Sequence, residues 1–483
     1  MIGASETTVK GLARVRGPRI FLDCSMTTRS TSQAGLQRVV RNVAQAAAAL
    51  GPEIGLESRL VVFRDGQWRD VPTALDRVRT IAPTPTAASV DPTRLAAWRR
   101  RFDTLGDRLY KIFYPRTLVR GLRSCTINLL GGGEPVPDFR ADDILLLLDA
   151  SWLVSDQPHF RAARRAGTRI GLVVYDLMPI IHSRFMLPKA CRQFRRWMRR
   201  YVPQMDFFLA ISQTVRDEFR EWLKREFPAR TFHPDLVSWF PMGVQLDLAD
   251  PRAEARPELR AVFEGPAPTY LKVCTLDPRK NHSFVLDAFE RVWERSPETR
   301  LCFLGRPGWM ADELLKRISQ HPRLNKQLFW FRGATDAELT YSYRHATATI
   351  SASLAEGYGL PIVESLQHGR PTMVSDIPVH REVGGDYCAW FDPRDPKSLA
   401  QLVLTHLARG GHLARRPPHE FQPVTWEDAT RVLLNECQRL AALAASLAPG
   451  SRATASTFCR PANSSSDPAV PPSADPFASQ RVA

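Results

Sequence analysis

Short, uninterrupted apolar runs recur along this chain, with stretches of helical spacing between many of them. The first series is RIFLDCS at 19–25, RLVVFRDG at 59–66, DILLLLD at 143–149, RIGLVVYD at 169–176 and FFLAISQ at 207–213. A second comprises TYLKVCTL at 269–276, TRLCFLGRPG at 299–308, LFWFRGA at 328–334, TATISAS at 347–353 and PTMVSD at 371–376. A strand with one wet face alternates apolar and polar residues, whereas a parallel strand covered on both faces is apolar throughout. The runs therefore predict parallel sheets flanked by helices, an α/β fold. Helical spacing marks 36–50, a segment closing at Gly167, 215–226 after the capping candidates Ser212 and Thr214, and 281–296.

Between the two series the texture changes. Segment 249–268 is rich in Pro, Ala and charge and reads as a linker. The expected organisation is a leader at 1–18, one Rossmann-like domain at 19–248, the linker, and a second domain at 269–424. A helix at 425–448, free to cross back to the first domain, and a Pro- and Ser-rich disordered tail at 449–483 complete it. Ligands of such sheets gather at the carboxyl ends of the strands.

Charge and cysteine content narrow the function classes. The net charge of +16 favours an anionic partner, whether a polyphosphate substrate, a lipid surface or nucleic acid. The eight cysteines contain no CxxC pair, which argues against a zinc site or disulfide framework and for a reducing compartment. The apolar runs fall short of the roughly 20 residues that span a bilayer, and the N-terminus lacks a signal-peptide core. The chain is expected to be cytoplasmic, peripheral at the inner membrane face. Segment 184–200 has seven Lys or Arg and no acid, and segment 91–123 has nine basic and three acidic residues among aromatics. Both read either as amphipathic surfaces for anionic lipid or as solvated helix faces with their aromatics turned inward. No recognised motif supports nucleic-acid binding.

The stretch AEGYGLPIVES, 355–365, places Glu356 and Glu364 eight residues apart around Gly357, Gly359 and Pro361. The glycines permit a tight turn, and Pro361 suits a first helical turn. Glu356 is then expected in a loop after a strand and Glu364 at a helix start, where free backbone amides attract anions. From the residues alone, the pair reads either as two surface acids beside a turn or as a ligand clamp.

This stretch resembles the E-x7-E motif of retaining GT-B glycosyltransferases of family 4, also called glycosyl transferases group 1. TLDPRKNHSFVLDAFE (275–290), CFLGRPGW (302–309) and 354–395 carry the same resemblance, which is strong over 269–440 and recognisable over 19–248. The texture is closest to bacterial mannosyltransferases of surface-polysaccharide synthesis. The resemblance implies two Rossmann-like domains facing across a cleft, with a C-terminal crossover helix. It implies that Glu364 holds the nucleotide ribose and that Glu356 faces the transferred sugar. The backbone from Gly357 through Tyr358 and Gly359 to Leu360 would hold sugar and diphosphate.

Lys280 matches the diphosphate-binding lysine, with Arg279 beside it and Arg306 as a further candidate. Thr275 stands near the place where many members carry an arginine. In TSQAGLQRVV, 31–40, Gly35 would let backbone approach the phosphates, with Gln33 and Arg38 nearby. On the acceptor side the resemblance points to Tyr175, Asp176, His182 and Ser212; Tyr175 occupies the place where a histidine is common. Glu356, Lys280 and Asp176 are the catalytic candidates. The implied reaction moves a sugar, with GDP-mannose as the leading donor, to a lipid-diphosphate-linked or growing glycan. UDP-hexose or dTDP-rhamnose donors, and an inactive nucleotide-sugar-binding assembly module, are the alternatives. No Asp-x-Asp motif stands at a strand end, so no metal cofactor is expected.

Overall fold

The computed structural model describes residues 17–29, 35–64, 66–71, 137–154, 160–230, 232–244, 254–411 and 413–447. Expectations for the leader up to residue 16, for Gln33, for the basic segment 91–123 and for the tail from 449 lie outside these residues.

The apolar runs form two sheets within one compact unit that extends to Ala444. The first contains β1 (Arg19–Asp23), β2 (Glu57–Arg64), β3 (Gln67–Asp70), β4 (Ile144–Leu147), β5 (Arg169–Val174), β6 (Phe207–Ala210) and β7 (Val237–Trp239). Its spatial order is β3-β2-β1-β4-β5-β6-β7. The second contains β8 (Thr269–Val273), β9 (Arg300–Leu304), β10 (Leu328–Phe331), β11 (Ala348–Ser351), β12 (Thr372–Ser375) and β13 (Cys388–Phe391). Its order is β10-β9-β8-β11-β12-β13. The strand pairs are parallel except β2 and β3, which form a hairpin with Val61 opposite Asp70. This is the expected two-sheet GT-B architecture. Each order reverses beside its first strand, β1 or β8, and such switch points open a crevice at the strand carboxyl ends.

Continuous apolar sequence becomes two-sided burial. Alternate residues of β1 and β4 feed opposite cores: Ile20, Leu22, Ile144 and Leu146 on one face, Phe21, Leu145 and Leu147 on the other. The final helix, Trp426–Ser446, adds Trp426, Leu433, Leu434, Cys437 and Leu440 to the first of these cores. It thus returns to the first sheet, and Arg431 meets Glu53 at 3.0 Å on the way.

Two elements differ from the sequence reading, and a third decides between its two options. The β2–β3 hairpin was not foreseen, because its second strand, QWRD, is only four residues long and mostly polar. The stretch read as a linker contains a helix, Pro257–Phe263, whose Leu259, Val262 and Phe263 pack with Leu271, Cys302 and Leu304 of the second sheet. Its proline is an N-terminal helix residue, not a breaker. In the basic segment 184–200, the helix Pro188–Tyr201 buries Phe194, Trp197 and Met198, so the aromatics face inward. Lys189, Arg192, Arg195, Arg196, Arg199 and Arg200 remain exposed. Among the described residues, no helix is long and apolar enough to cross a membrane.

Candidate active site

The glutamate loop follows β11. Gly359 takes φ 109°, a left-handed conformation that penalises a Cβ, and starts the helix Leu360–Gln367 with Pro361 in its first turn. Gly357 is fixed differently: a methyl group there would run into the carbonyl oxygen of Tyr175 in the first sheet's domain. The two glycines therefore set the turn and allow a close approach of the two domains.

Glu356 lies in a nest of donors. Arg279 Nη1 donates to its Oε2 at 2.6 Å, Ser353 Oγ donates to its Oε1 at 2.7 Å, and Lys280 Nζ donates to Oε1 as well. Arg279 and Lys280 come from the short turn Pro278–Lys280, capped by the buried Asp277. Arg279 also binds the carbonyl oxygen of Ala355 at 2.9 Å, tying the turn to the loop. Burial opposes ionisation of Glu356, but Arg279 and Lys280 outweigh it and hold the carboxyl well below the usual carboxylate range. The same pairing keeps Arg279 firmly charged.

Glu364 is buried and accepts from Tyr343 OH at 2.8 Å within its own domain. Its other oxygen accepts from Arg38 Nη1 at 2.5 Å, across from the first domain. Arg38 also lies 3.7 Å from Asp336. It projects from the helix Leu36–Leu50, which begins after Gly35 at φ 54°. Gly35 is exposed and has no neighbour within 4 Å of a Cβ position, so it limits backbone shape, not packing.

The acceptor-side candidates divide. Asp176 is half-buried and accepts from Met178 N at 3.0 Å. Burial raises its pKa against the lowering effect of Arg279, and Glu356 and Lys280 also act on it electrostatically. It therefore belongs to the same electrostatic neighbourhood as the glutamate loop. His182 is half-buried nearby, with its pKa lowered by burial and by Arg184. Tyr175 is turned away: its ring is in the core and its hydroxyl donates to the carbonyl oxygen of Leu148 at 2.7 Å. The expectation of an acceptor-contacting Tyr175 side chain is corrected accordingly, since that hydroxyl satisfies a buried backbone acceptor. Ser212 is also spent internally. Its hydroxyl accepts from Val215 N and donates to Gly357 O at 2.9 Å, so it is an N-cap and an interdomain latch, not a free acceptor contact. Arg306 is exposed beyond β9. Tyr358 is half-buried and Leu360 packs partly against the first domain's core.

Several charged groups of this region escaped the sequence reading. Glu382 reaches across from the second domain to accept from Gln213 N, Thr214 N and Thr214 Oγ1 at 2.7–2.8 Å. Glu218, on the helix Gln213–Glu226, is pushed up to about 7 by burial and by Asp176. Asp23 and Asp149, at the carboxyl ends of β1 and β4, form a buried acid pair. Each is a single acid in an ordinary helix or at a strand end.

Residues 258–416 match the family described as Glycosyl transferases group 1. Over that span the chain is similar to glycosyl transferases group 1. Among curated proteins, it is 30% identical to the serotype-specific mannosyltransferase WbdA of Escherichia coli over 309 residues, covering 63% of this chain and 38% of that protein. The chain thus spans about two-fifths of the length of WbdA. It is 25% identical to the O-antigen chain mannosyltransferase RfbU of Salmonella typhimurium over 233 residues, covering 48% of this chain and 59% of RfbU. Among solved structures, a glycosyltransferase from Rickettsia africae aligns with a TM-score of 0.54 at 13% identity, over 88% of this chain and 98% of that one. That likeness concerns the fold. The matched span takes in all but the first residue of the helix Pro257–Phe263 and both glutamates, while Arg38, Ser212 and Asp176 come from the preceding domain.

Proposed function

We propose that the chain is a retaining glycosyltransferase that moves mannose from GDP-mannose to a hydroxyl of a lipid-linked or growing surface glycan. The observation that carries this reading is the placement of two carboxylates on one loop and helix start. Glu356 is clasped by Arg279 and Lys280, and Glu364 lies under Arg38 from the facing domain. In this reading Glu364 exchanges its present donors for the ribose hydroxyls, and Glu356 faces hydroxyls of the sugar. Arg279 and Lys280 neutralise the diphosphate, and these fixed cations supply the charge stabilisation that makes a metal ion unnecessary. The bond between the anomeric carbon and the phosphate oxygen breaks. The acceptor oxygen bonds to that carbon from the same face, and its proton passes to the departing phosphate oxygen. Nucleoside diphosphate and the retained glycoside are the products. Asp176 lies on the acceptor side of this cluster. The mannosyl choice is supported by the names of WbdA and RfbU.

The deciding experiment is a donor screen with GDP-mannose, UDP-hexoses and dTDP-rhamnose, with and without bacterial membrane extract as acceptor. Release of GDP with mannosyl product of retained configuration is expected, and Glu356→Ala should lower it about a hundredfold or more. Turnover of another donor in place of GDP-mannose would overturn the mannosyl assignment, and turnover of none would overturn the transferase reading.

A peripheral position at the inner membrane face is part of the proposal. The outward Arg and Lys side chains of the helix Pro188–Tyr201 stand beside exposed Leu187 and Ile181. Such a face suits anionic lipid. Sedimentation with anionic vesicles, lost on reversing Arg192, Arg195 and Arg199 to Glu, tests it; unchanged sedimentation rejects it.

A further inference from the structure

His380 lies in the short helix Pro378–Gly384 and is fully buried. Its Nδ1 stands 3.0 Å from Ser375 Oγ and 3.1 Å from the carbonyl oxygen of the same serine, at the end of β12. Ser375 Oγ in turn donates to the carbonyl oxygen of Ser353 at 2.6 Å. Ser353 stands just past β11, and its own hydroxyl donates to Glu356 Oε1 at 2.7 Å. Both serines are buried. A chain of hydrogen bonds thus runs from the imidazole through Ser375 and Ser353 to the first carboxylate of the glutamate loop.

That chain fixes the tautomer. A hydroxyl has one proton, and Ser375 gives it to Ser353 O, so Ser375 Oγ can only accept from Nδ1. The carbonyl oxygen of Ser375 also only accepts. Nδ1 therefore carries the imidazole proton, and Nε2 is a bare lone pair. Among the described residues, Nε2 has no hydrogen-bond partner. The ring edge that carries it faces Gly359: a Cβ on that glycine would lie 3.5 Å from Cδ2 and 3.6 Å from Nε2. Gly359 stands at the start of the helix Leu360–Gln367, its positive end. A lone pair suits that place, and a second N–H would not. Burial pushes the pKa of His380 down to about 4, so the ring is neutral at pH 7. The one imidazole thus meets both ends of the loop, Ser353 through Ser375 and Gly359 directly.

We propose that His380 is a positioning residue of the donor site, which orients the Glu356 carboxylate through Ser375 and Ser353 and braces the turn at Gly359. The inference rests on the reading of Glu356 as the contact of the transferred sugar. His380 itself does not touch that sugar. Arg279 takes Glu356 Oε2, while Lys280 and Ser353 share Oε1. The lysine can follow the carboxylate on its flexible stem. Ser353 cannot, because Ser375 anchors its backbone. Its hydroxyl therefore sets the direction of Oε1, and His380 holds the serine that anchors it.

The test compares the full chain as wild type, His380→Asn and His380→Leu, with GDP-mannose as donor and GDP as the binding probe. The two replacements are close in size, so they leave similar space beside Gly359. Asparagine keeps an N–H donor near the place of Nδ1, and leucine does not. His380→Leu should lower kcat about tenfold or more, the effect of misplacing a group at the reacting sugar, with GDP affinity changed less than about threefold. His380→Asn should stay within about threefold of wild type in kcat. Ser375→Ala cuts the same chain without touching the ring, and should reproduce the loss in His380→Leu even if that variant folds poorly. Nitrogen-15 spectra of histidine-labelled protein, with the Asn variant to assign the signal, should show His380 neutral at pH 7 with its proton on Nδ1. Equal kcat in His380→Leu and His380→Asn overturns the inference, as does wild-type kcat in Ser375→Ala or a proton on Nε2. Loss of GDP affinity in step with kcat overturns it too, since the ring would then only support the fold of the site. Wild-type turnover tests the donor reading, and the Leu–Asn difference tests His380, so the two fail separately. A wild type that transfers no mannose fells the donor reading and the His380 assignment with it.

Discussion

At the scale of single residues, the electrostatics of Glu356 have a measurable consequence. Its side chain is 10% exposed and sits against Arg279 and Lys280. Replacing Glu356 by Gln removes a shared counter-ion and leaves two nearly buried cations facing each other. Breaking a buried pair from one side costs about 3–5 kcal/mol, so urea denaturation at pH 7 should show Glu356→Gln destabilised by on the order of 3 kcal/mol. The sign of the pH dependence follows from the lowered folded pKa. The stabilisation by the ionised carboxyl is complete above its ordinary value of 4.5 and lost as pH falls below it. The deficit of the Gln variant should thus be constant from pH 7 to 5 and shrink by about 1.4 kcal/mol per unit below roughly 4.5. A deficit that does not change down to pH 3.5 would contradict the pairing. Glu356, Glu364, Arg279 and Lys280 were visible in the sequence because one strand–turn–helix unit and its neighbouring turn carry them in short motifs. Arg38 meets Glu364 across 326 residues, and no local pattern reports a contact of that kind.

At the scale of elements, most boundaries could be read from apolar runs, because parallel strands advertise two-sided burial. The helix Pro257–Phe263 could not, because its first residue also marks linkers and only its packing on β8 and β9 distinguishes the two cases. The inward aromatics of Pro188–Tyr201 were legible only as one of two options, since periodicity gives a face and not what covers it. The helix Gln213–Glu226 shows what tertiary structure adds. Ser212 caps it locally, as its sequence allows, but the two preceding free amides are satisfied by Glu382 from the other domain. A carboxylate at a helix N-terminus is favoured both by hydrogen bonding and by the helix dipole. Glu382→Ala should cost about 1–2 kcal/mol in urea denaturation. Because Ser212 is retained, far-ultraviolet circular dichroism should remain that of the wild type. A change under a few tenths of a kcal/mol would show that water replaces Glu382 without loss.

At the scale of the whole molecule, the two-sheet plan was legible and the docking of its domains was not. Docking depends on Gly357 against Tyr175, Ser212 on Gly357, and Trp309 Nε1 donating to Phe185 O at 2.7 Å, all contacts between distant segments. The buried acid pair of the first domain sets a further whole-molecule property, the response of global stability to pH. Burial raises the pKa of Asp149, and the backbone amides of Met26, Thr27 and Ala150, from which it accepts, act against that rise. Asp23 accepts from Ser25 N and from the hydroxyls of Ser25 and Ser151. Burial and the charge of Asp149 push Asp23 up to about 6. Its folded pKa thus exceeds the unfolded one. The contribution to stability is full below about pH 4 and is lost as pH rises through about 6, because the fold must then hold two charged carboxylates together. Asp23→Asn removes the charge and keeps the contacts: its carbonyl oxygen can accept from Ser25 and its amide can donate to Ser151 Oγ. The variant should be more stable than wild type at pH 8, by on the order of 2 kcal/mol, and indistinguishable from it near pH 4. Taking the difference between the two proteins at each pH cancels the other titrating groups, Glu356 among them. A difference that is flat between pH 4 and 8 would mean that Asp23 and Asp149 do not share a proton in the folded state.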